Sequence, residues 1–192
     1  MNEANALNRS AALASIAVAL LLVGLKAWAA WSTGSTAMLG SLADTVLDLV
    51  ASLATLAGVW VAAQPDDENH RFGHGKAEAL AAMFQVVLIS ISALTLAVRA
   101  VDQWLGGHRP EEAEGGIAVS VIAMAATFAL LAWQRHVIRK TRSLAITTDH
   151  VHYQSDLLLN LAVIAALALD QYAGISGADP AFGLAIAAWL GW

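Results

Sequence analysis

Residues 41–50, SLADTVLDLV, place Asp44 and Asp48 in a run otherwise made of Ala, Leu, Val, Ser and Thr. Residues four apart share one face of a helix. The run therefore reads as an apolar helix with a polar stripe, which Ser41, Thr45, Ser52 and Thr55 extend. Residues 152–161, HYQSDLLLNL, repeat the pattern with His152 and Asp156, and Asp149 and Asn160 lie on the same stripe. What such stripes mean depends on the medium around them.

Composition sets the medium. The chain has 192 residues, 58% hydrophobic and only 13% charged, with a mean hydropathy of +0.63. A soluble domain has about a quarter of its residues charged. Six apolar segments, at 11–31, 36–63, 77–105, 115–137, 143–170 and 179–192, are separated by turn-rich stretches such as STGST (32–36), GGHRPEEAEGG (106–116) and GISGADP (174–180). A helix needs about 20 apolar residues to cross a bilayer core of about 30 Å. All segments but the last reach that length. The last would extend about 21 Å. It starts nearer Gly174, crosses a thinned bilayer, or belongs to a longer chain, and the sequence does not choose among these. Barrel strands would be short and alternating, and no such pattern occurs, so helices are the remaining way to cross. The first segment follows an Arg and contains AWA at 27–29, yet its length fits a first span better than a cleaved leader.

Lys and Arg orient the bundle. With the N-terminus inside, the inner side holds Arg9, Arg71, Lys76, Arg135, Arg139, Lys140 and Arg142, the outer side Arg99 and Arg109, and Lys26 lies within the first span. The expectation is an all-α membrane protein of six transmembrane helices, both termini cytoplasmic. Lys26 should snorkel or pair with a carboxylate. Most of the seven tryptophans lie near span ends, as interfacial anchors do. His108, His136 and His150 read as surface residues at helix edges. Small residues on the third span, such as Ala77, Ala81 and Ser92, suit close helix approach in a dimer.

Polar residues in membrane helices can simply join helices by hydrogen bonds, a reading that suits Ser41, Thr45 and Ser52. It suits carboxylates poorly, because an ionised Asp at mid-bilayer costs about 2.5–3.5 kcal/mol on insertion scales. Converging carboxylates also repel one another. A cation removes both penalties. Asp44, Asp48, His152 and Asp156 lie about 15–20 Å along their helices and supply three oxygens and one imidazole nitrogen, a set suited to Zn2+. Imidazole argues against Mg2+ and Ca2+. Zn2+ and Cd2+ lead, with Fe2+, Co2+ and Mn2+ still open. A second constellation lies in QPDDENHRFGHGKAE (64–78), where Asp67, His70 and His74 are spaced as metal ligands can be. The plain alternative there is a solvated connector. There are no cysteines, which excludes thiolate sites and disulfides. With a net charge of −5 and no basic stripe, nucleic acid is not a partner.

Taken together, Asp44-x-x-x-Asp48, His152-x-x-x-Asp156, the six segments and NHRFGHGKAE (69–78) resemble the cation diffusion facilitator family of divalent-metal transporters. The resemblance covers nearly the whole chain. It implies a proton-coupled antiporter, usually a homodimer, that carries Zn2+ and often Cd2+ out of the cytoplasm. It makes Asp44, Asp48, His152 and Asp156 the transport site and Asp67, His70 and His74 a secondary site. It also implies a multi-pass protein of the cell membrane, here a bacterial inner membrane. Most members continue into a cytoplasmic metal-binding domain. Residues 1–192 are expected to hold the six-helix transmembrane domain and no such extension. An intramembrane metalloenzyme is the alternative, but its usual H-E-x-x-H helix is missing, since RFG separates His70 from His74. The chain is therefore not expected to be an enzyme. A non-transporting helical subunit is the third reading.

Overall fold

The computed structural model describes residues 3–33, 36–68, 70–106, 117–173 and 178–191. Among them it contains helices and no strand: α1 (Glu3–Thr33), α2 (Thr36–Ala62), α3 (Lys76–Gly106), α4 (Ile117–Thr141), α5 (Leu144–Ala173) and α6 (Ala178–Gly191). Each expected segment corresponds to a helix. The start of the fourth segment at 115–116, His108, Arg109, Gly174 and Trp192 lie outside the described residues.

The helices outrun the apolar runs where local chemistry favours it. α1 begins eight residues before Ala11, with Glu3 in its first turn. Glu3, Ala4, Ala6, Leu7 and Arg9 in that lead-in are strong helix formers, and an acidic residue near a helix N-terminus interacts favourably with the macrodipole. α4 continues to Thr141 with Arg139 and Lys140 in its last turn, where cations complement the carbonyl end. It stops because Arg142 takes a left-handed conformation, φ 56°, while its N–H still donates to the Ile138 carbonyl at 2.9 Å. Ser143 then caps α5, its hydroxyl accepting the Ile146 N–H at 3.4 Å.

Among the described residues, α1 to α4 are long and apolar enough to cross a membrane. α5 has 30 residues, ample length, but its first half carries Asp149, His150, His152, Gln154 and Asp156 and loses apolar character accordingly. α6 has 14 residues, about 21 Å at the usual rise. Large apolar side chains such as Leu20, Val87 and Leu94 are exposed along the helices. Such surface suits lipid rather than water. Trp28, Trp31, Trp60, Trp104 and Trp189 are exposed near helix ends, and Trp133 is exposed further inside α4. The protein is an all-α, multi-pass membrane protein.

The chain divides into two units, residues 1–85 with 113–151, and residues 86–112 with 152–192. In the first, α1 packs on α2 and α4. Its core comprises Ala11, Ala12, Val59, Ala81, Val137, Ala145 and Ile146. Those residues come from the early turns of α1, α3 and α5 and the late turns of α2 and α4, as up-and-down connections require. Contact there is close because the side chains are small. A Cβ on Gly58 would stand 2.5 Å from the Ala81 Cβ and 3.0 Å from the Ala77 carbonyl oxygen, so any larger residue forces α2 and α3 apart. Ala77 and Ala81 therefore serve contact within the chain, which corrects their reading as dimer contacts. Ser92 is exposed. In the second unit, Gly183 of α6 faces Ala100 and Leu96 of α3, at 3.3 and 3.6 Å from where a Cβ would lie.

Candidate metal centre

On α2, Asp44 is exposed, Asp48 is half-buried and Thr45 between them is fully buried. Asp48 stands twelve residues into the helix, about 18 Å along its axis. Thr45 donates its hydroxyl to the Ser41 carbonyl at 3.0 Å and accepts from Lys26 Nζ at 2.6 Å. Lys26 Nζ also reaches the Ser41 carbonyl at 3.4 Å. Its ammonium is thus held by a hydroxyl and a backbone carbonyl, where snorkelling or a carboxylate partner was expected.

On α5, His152 is buried and Asp156 half-buried. Nε2 of His152 lies 3.8 Å from Oδ2 of Asp156, too far for a hydrogen bond. Two ligands of one tetrahedral Zn2+, each at about 2.0–2.1 Å, stand about 3.3 Å apart. The pair needs only a small adjustment to share an ion. Local bonds fix both residues: Ser155 Oγ donates to the His152 carbonyl at 2.6 Å, and Asn160 Nδ2 to the Asp156 carbonyl at 2.8 Å. The Tyr153 ring meets the His152 ring edge-on at 5.8 Å.

The loop between α2 and α3 brings Asp67, His70 and His74 together, with one ligand atom from each within 4.8 Å of the others. Asp67 Oδ1 accepts the His70 backbone N–H at 2.6 Å and lies 2.9 Å from His70 Nδ1. Asp67 Oδ2 lies 3.5 Å from His74 Nε2, and the imidazole rings are 4.4 Å apart. Gly73 closes the turn at φ 76°, and a Cβ there would come 2.9 Å from Asp66 Oδ1; only glycine takes this conformation at little cost. Asp67 and His70 are exposed. His74 Nδ1 is buried without a hydrogen-bond partner, whereas a metal-bound histidine normally donates its second nitrogen. This loop is the more exposed of the two arrangements.

Asp149 shares a stripe with His152 and Asp156, yet its surroundings differ. It is fully buried and accepts from Ser15 Oγ at 2.6 Å, Gln134 Nε2 at 2.7 Å, Gln85 Nε2 at 2.8 Å and Thr55 Oγ1 at 3.4 Å. The next residue, His150, is half-buried, with Nδ1 3.2 Å from Gln134 Oε1, so it is not the surface residue its position suggested. His136 is exposed and stacks on Trp133 at 5.6 Å.

Long apolar helices that carry carboxylates and an imidazole on polar stripes define a multi-pass membrane protein with candidate cation ligands on its helices. The match to known sequences is equally specific: residues 12–191 fit the model of the cation efflux transmembrane domain, and the chain belongs to that family. It is 45% identical over 180 residues, 94% of this chain, to the cation-efflux pump FieF of Cronobacter sakazakii. It is also 45% identical over 182 residues to that of Serratia proteamaculans, and 44% identical over 180 residues to that of Pectobacterium carotovorum. These relatives are named as pumps, not enzymes. The chain spans about 60% of the length of each.

Proposed function

We propose that this chain is the membrane portion of a divalent-cation efflux transporter, with Zn2+ as principal substrate, Cd2+ as a second, and protons as the counter-ion. The observation that carries the reading is the buried His152, whose Nε2 stands 3.8 Å from Asp156 Oδ2. That spacing suits two ligands of one ion better than a hydrogen-bonded pair. Asp44 and Asp48 on α2 complete the donor set, with Asp48, the more enclosed of the two, as the stronger ligand. Imidazole and carboxylate bind metal only when deprotonated, so protons and cation compete for one site, and alternate exposure of that site exchanges one for the other. The setting is a bacterial inner membrane, in keeping with the relatives' sources. The working form is a homodimer whose contacts lie away from Ala77 and Ala81, since those meet Gly58.

The test is Zn2+ uptake into proteoliposomes holding the purified chain. Uptake is expected to saturate with Zn2+, to speed up when the lumen is made acidic, and to lose apparent affinity as the metal-side pH falls below about 6.5, where histidine ordinarily protonates. A rate indifferent to the gradient rules out the antiport step. Absence of saturable flux rules out the transporter.

Asp67, His70 and His74 form a secondary site. They sit in the connector that follows α2, two of the three exposed, and not within a helix. Replacing His70 and His74 together by Ala should keep Zn2+ flux within about threefold of wild type, because losing a nearby but non-conducting site affects metal handling less than losing a direct ligand. It should also reduce the number of ions bound in equilibrium dialysis. Complete loss of flux in protein that still inserts reverses the ranking of the two sites.

A further inference from the structure

We infer that Asp149 is a positioning residue for cation binding: a buried carboxylate that ties α1, α2, α3 and α4 to α5 and so sets the place of the ligands further along α5. The inference rests on the transport reading above for what those ligands do, but its geometry stands on its own.

The donors around Asp149 are arranged in two matched sets. Oδ1 accepts one amide, Gln85 Nε2 at 2.8 Å, and one hydroxyl, Thr55 Oγ1 at 3.4 Å. Oδ2 likewise accepts Gln134 Nε2 at 2.7 Å and Ser15 Oγ at 2.6 Å. Each amide nitrogen spends its second hydrogen on the neighbouring hydroxyl, Gln85 on Thr55 at 2.6 Å and Gln134 on Ser15 at 3.0 Å. Each hydroxyl hydrogen is shared between Asp149 and the carbonyl one turn back, Ser15 with Ala11 at 3.1 Å and Thr55 with Ala51 at 3.2 Å, so Ser15 is the stronger hydroxyl donor to the carboxylate. One donor comes from each of α1, α2, α3 and α4. The four are neutral, and together they match the roughly four lone-pair sites of an ionised carboxylate.

Two consequences follow for the chemistry. First, donors aimed at both oxygens occupy the electron pairs a metal would use, which separates Asp149 from Asp156 although both lie on one stripe of α5. Second, the carboxylate sets the orientation of the amides. Turning Gln85 over would place its oxygen against Asp149, and Gln85 keeps its nitrogen inward even though its Oε1 is buried with no partner. Gln134 is held the same way round by His150 at its oxygen. In a low-dielectric interior such a network is strong when fully satisfied and costly when partly broken.

The link to the cation runs through one continuous helix, Leu144–Ala173. His152 and Asp156 follow Asp149 by about 4.5 and 10.5 Å of axial rise, and the seven-residue spacing of Asp149 and Asp156 returns to nearly the same face. Fixing Asp149 against its donors therefore fixes both the rotation and the height of the ligands beyond it. Partners that orient ligands without touching the metal typically change affinity by about 10–100-fold when lost.

The test compares wild type, Asp149→Asn and the exchange variant Asp149→Asn/Gln134→Glu. The single variant puts an NH2 group where Gln85 or Gln134 already donates. The exchange variant moves the carboxylate across to α4 and restores one acceptor per donor. KM for Zn2+ in proteoliposomes is expected to rise at least about tenfold in Asp149→Asn and to return to near the wild-type value in the exchange variant. Backbone hydrogen exchange around His152, measured without metal, should quicken and recover in step. Faster exchange with an unchanged KM reduces Asp149 to a brace and overturns the assignment, as does a raised KM that the exchange does not rescue. If Asp149→Asn fails to insert, Ser15→Ala and Thr55→Val carry the test. KM should rise more for Ser15, whose contact is the shorter, and wild-type KM in both overturns the proposal. A wild-type chain without saturable flux defeats the transport reading instead, and the exchange measurement then decides the lock by itself.

Discussion

Asp48→Ala is expected to abolish saturable Zn2+ uptake while the protein still inserts and folds. Asp48 is only half-buried on α2, so removing its carboxylate leaves a small gap and little strain. Its loss as a ligand is another matter. Outer partners of a metal site already change affinity by about 10–100-fold when lost, and a direct ligand should exceed that range. Three remaining donors also leave an ion with an open position for water, which undoes the dehydrated binding that passage through a bilayer requires. Asp44→Ala, on the exposed member of the pair, should weaken uptake without abolishing it. Wild-type saturation in Asp48→Ala places the site elsewhere. Equal loss in both variants shows that exposure in this conformation does not rank the ligands.

The fold was legible because lipid imposes a coarse rule. Every backbone polar group in hydrocarbon needs an internal partner, so long apolar runs between turn signals left little choice but helix. The boundaries were legible to within a few residues where charge and capping agree, as at α4, whose basic last turn and left-handed Arg142 end it together. They were misjudged at α1, whose helical lead-in from Glu3 is polar. Hydropathy finds what enters lipid, and a helix can extend well beyond it.

Side-chain partnership was harder to read. His152 and Asp156 advertise themselves because ionisable groups four apart in an apolar run have few structural uses. Asp149 sits on the same stripe and looks the same in sequence. What distinguishes it is Ser15, Thr55, Gln85 and Gln134, each on a different helix; Thr55 reads only as part of the α2 stripe, and the other three go unremarked when read alone. One signal was present: Gln85 in MFQVVL is an amide in an apolar run, and a buried amide needs partners, whereas Gln134 in LAWQRH is followed by Arg135 and His136 and looks like the start of a polar end. Lys26 illustrates the same limit. Snorkelling or a carboxylate partner is what its position suggests, and its Nζ meets Thr45 and the Ser41 carbonyl, because which residues face one another across two helices is a tertiary fact. Ala77 and Ala81 carried the right inference about close approach and the wrong partner, since that partner is Gly58 in the same chain.

His152→Asp should leave a working transporter with altered preference. The imidazole is the one nitrogen donor in the proposed set, and it is buried, so selectivity rests on it more than on any carboxylate. Replacing it by a carboxylate turns the site into an all-oxygen one. Such a site loses its bias towards Zn2+ and Cd2+ and accepts harder ions such as Mn2+ more readily. The shorter Asp side chain also leaves more room around an ion, which favours one that tolerates more ligands and water. Uptake of Zn2+, Cd2+ and Mn2+ measured in parallel should show the Zn2+ to Mn2+ ratio of kcat/KM falling at least about tenfold, equivalent to about 1.4 kcal/mol of lost discrimination. The direction matters more than the size. A fourth carboxylate adds negative charge, so simple electrostatics would tighten all divalent ions together and leave the ratio unchanged. If the ratio holds while every KM falls, charge governs the site. If the ratio collapses while Mn2+ uptake rises, donor chemistry does, and His152 is the residue through which this protein tells its metals apart.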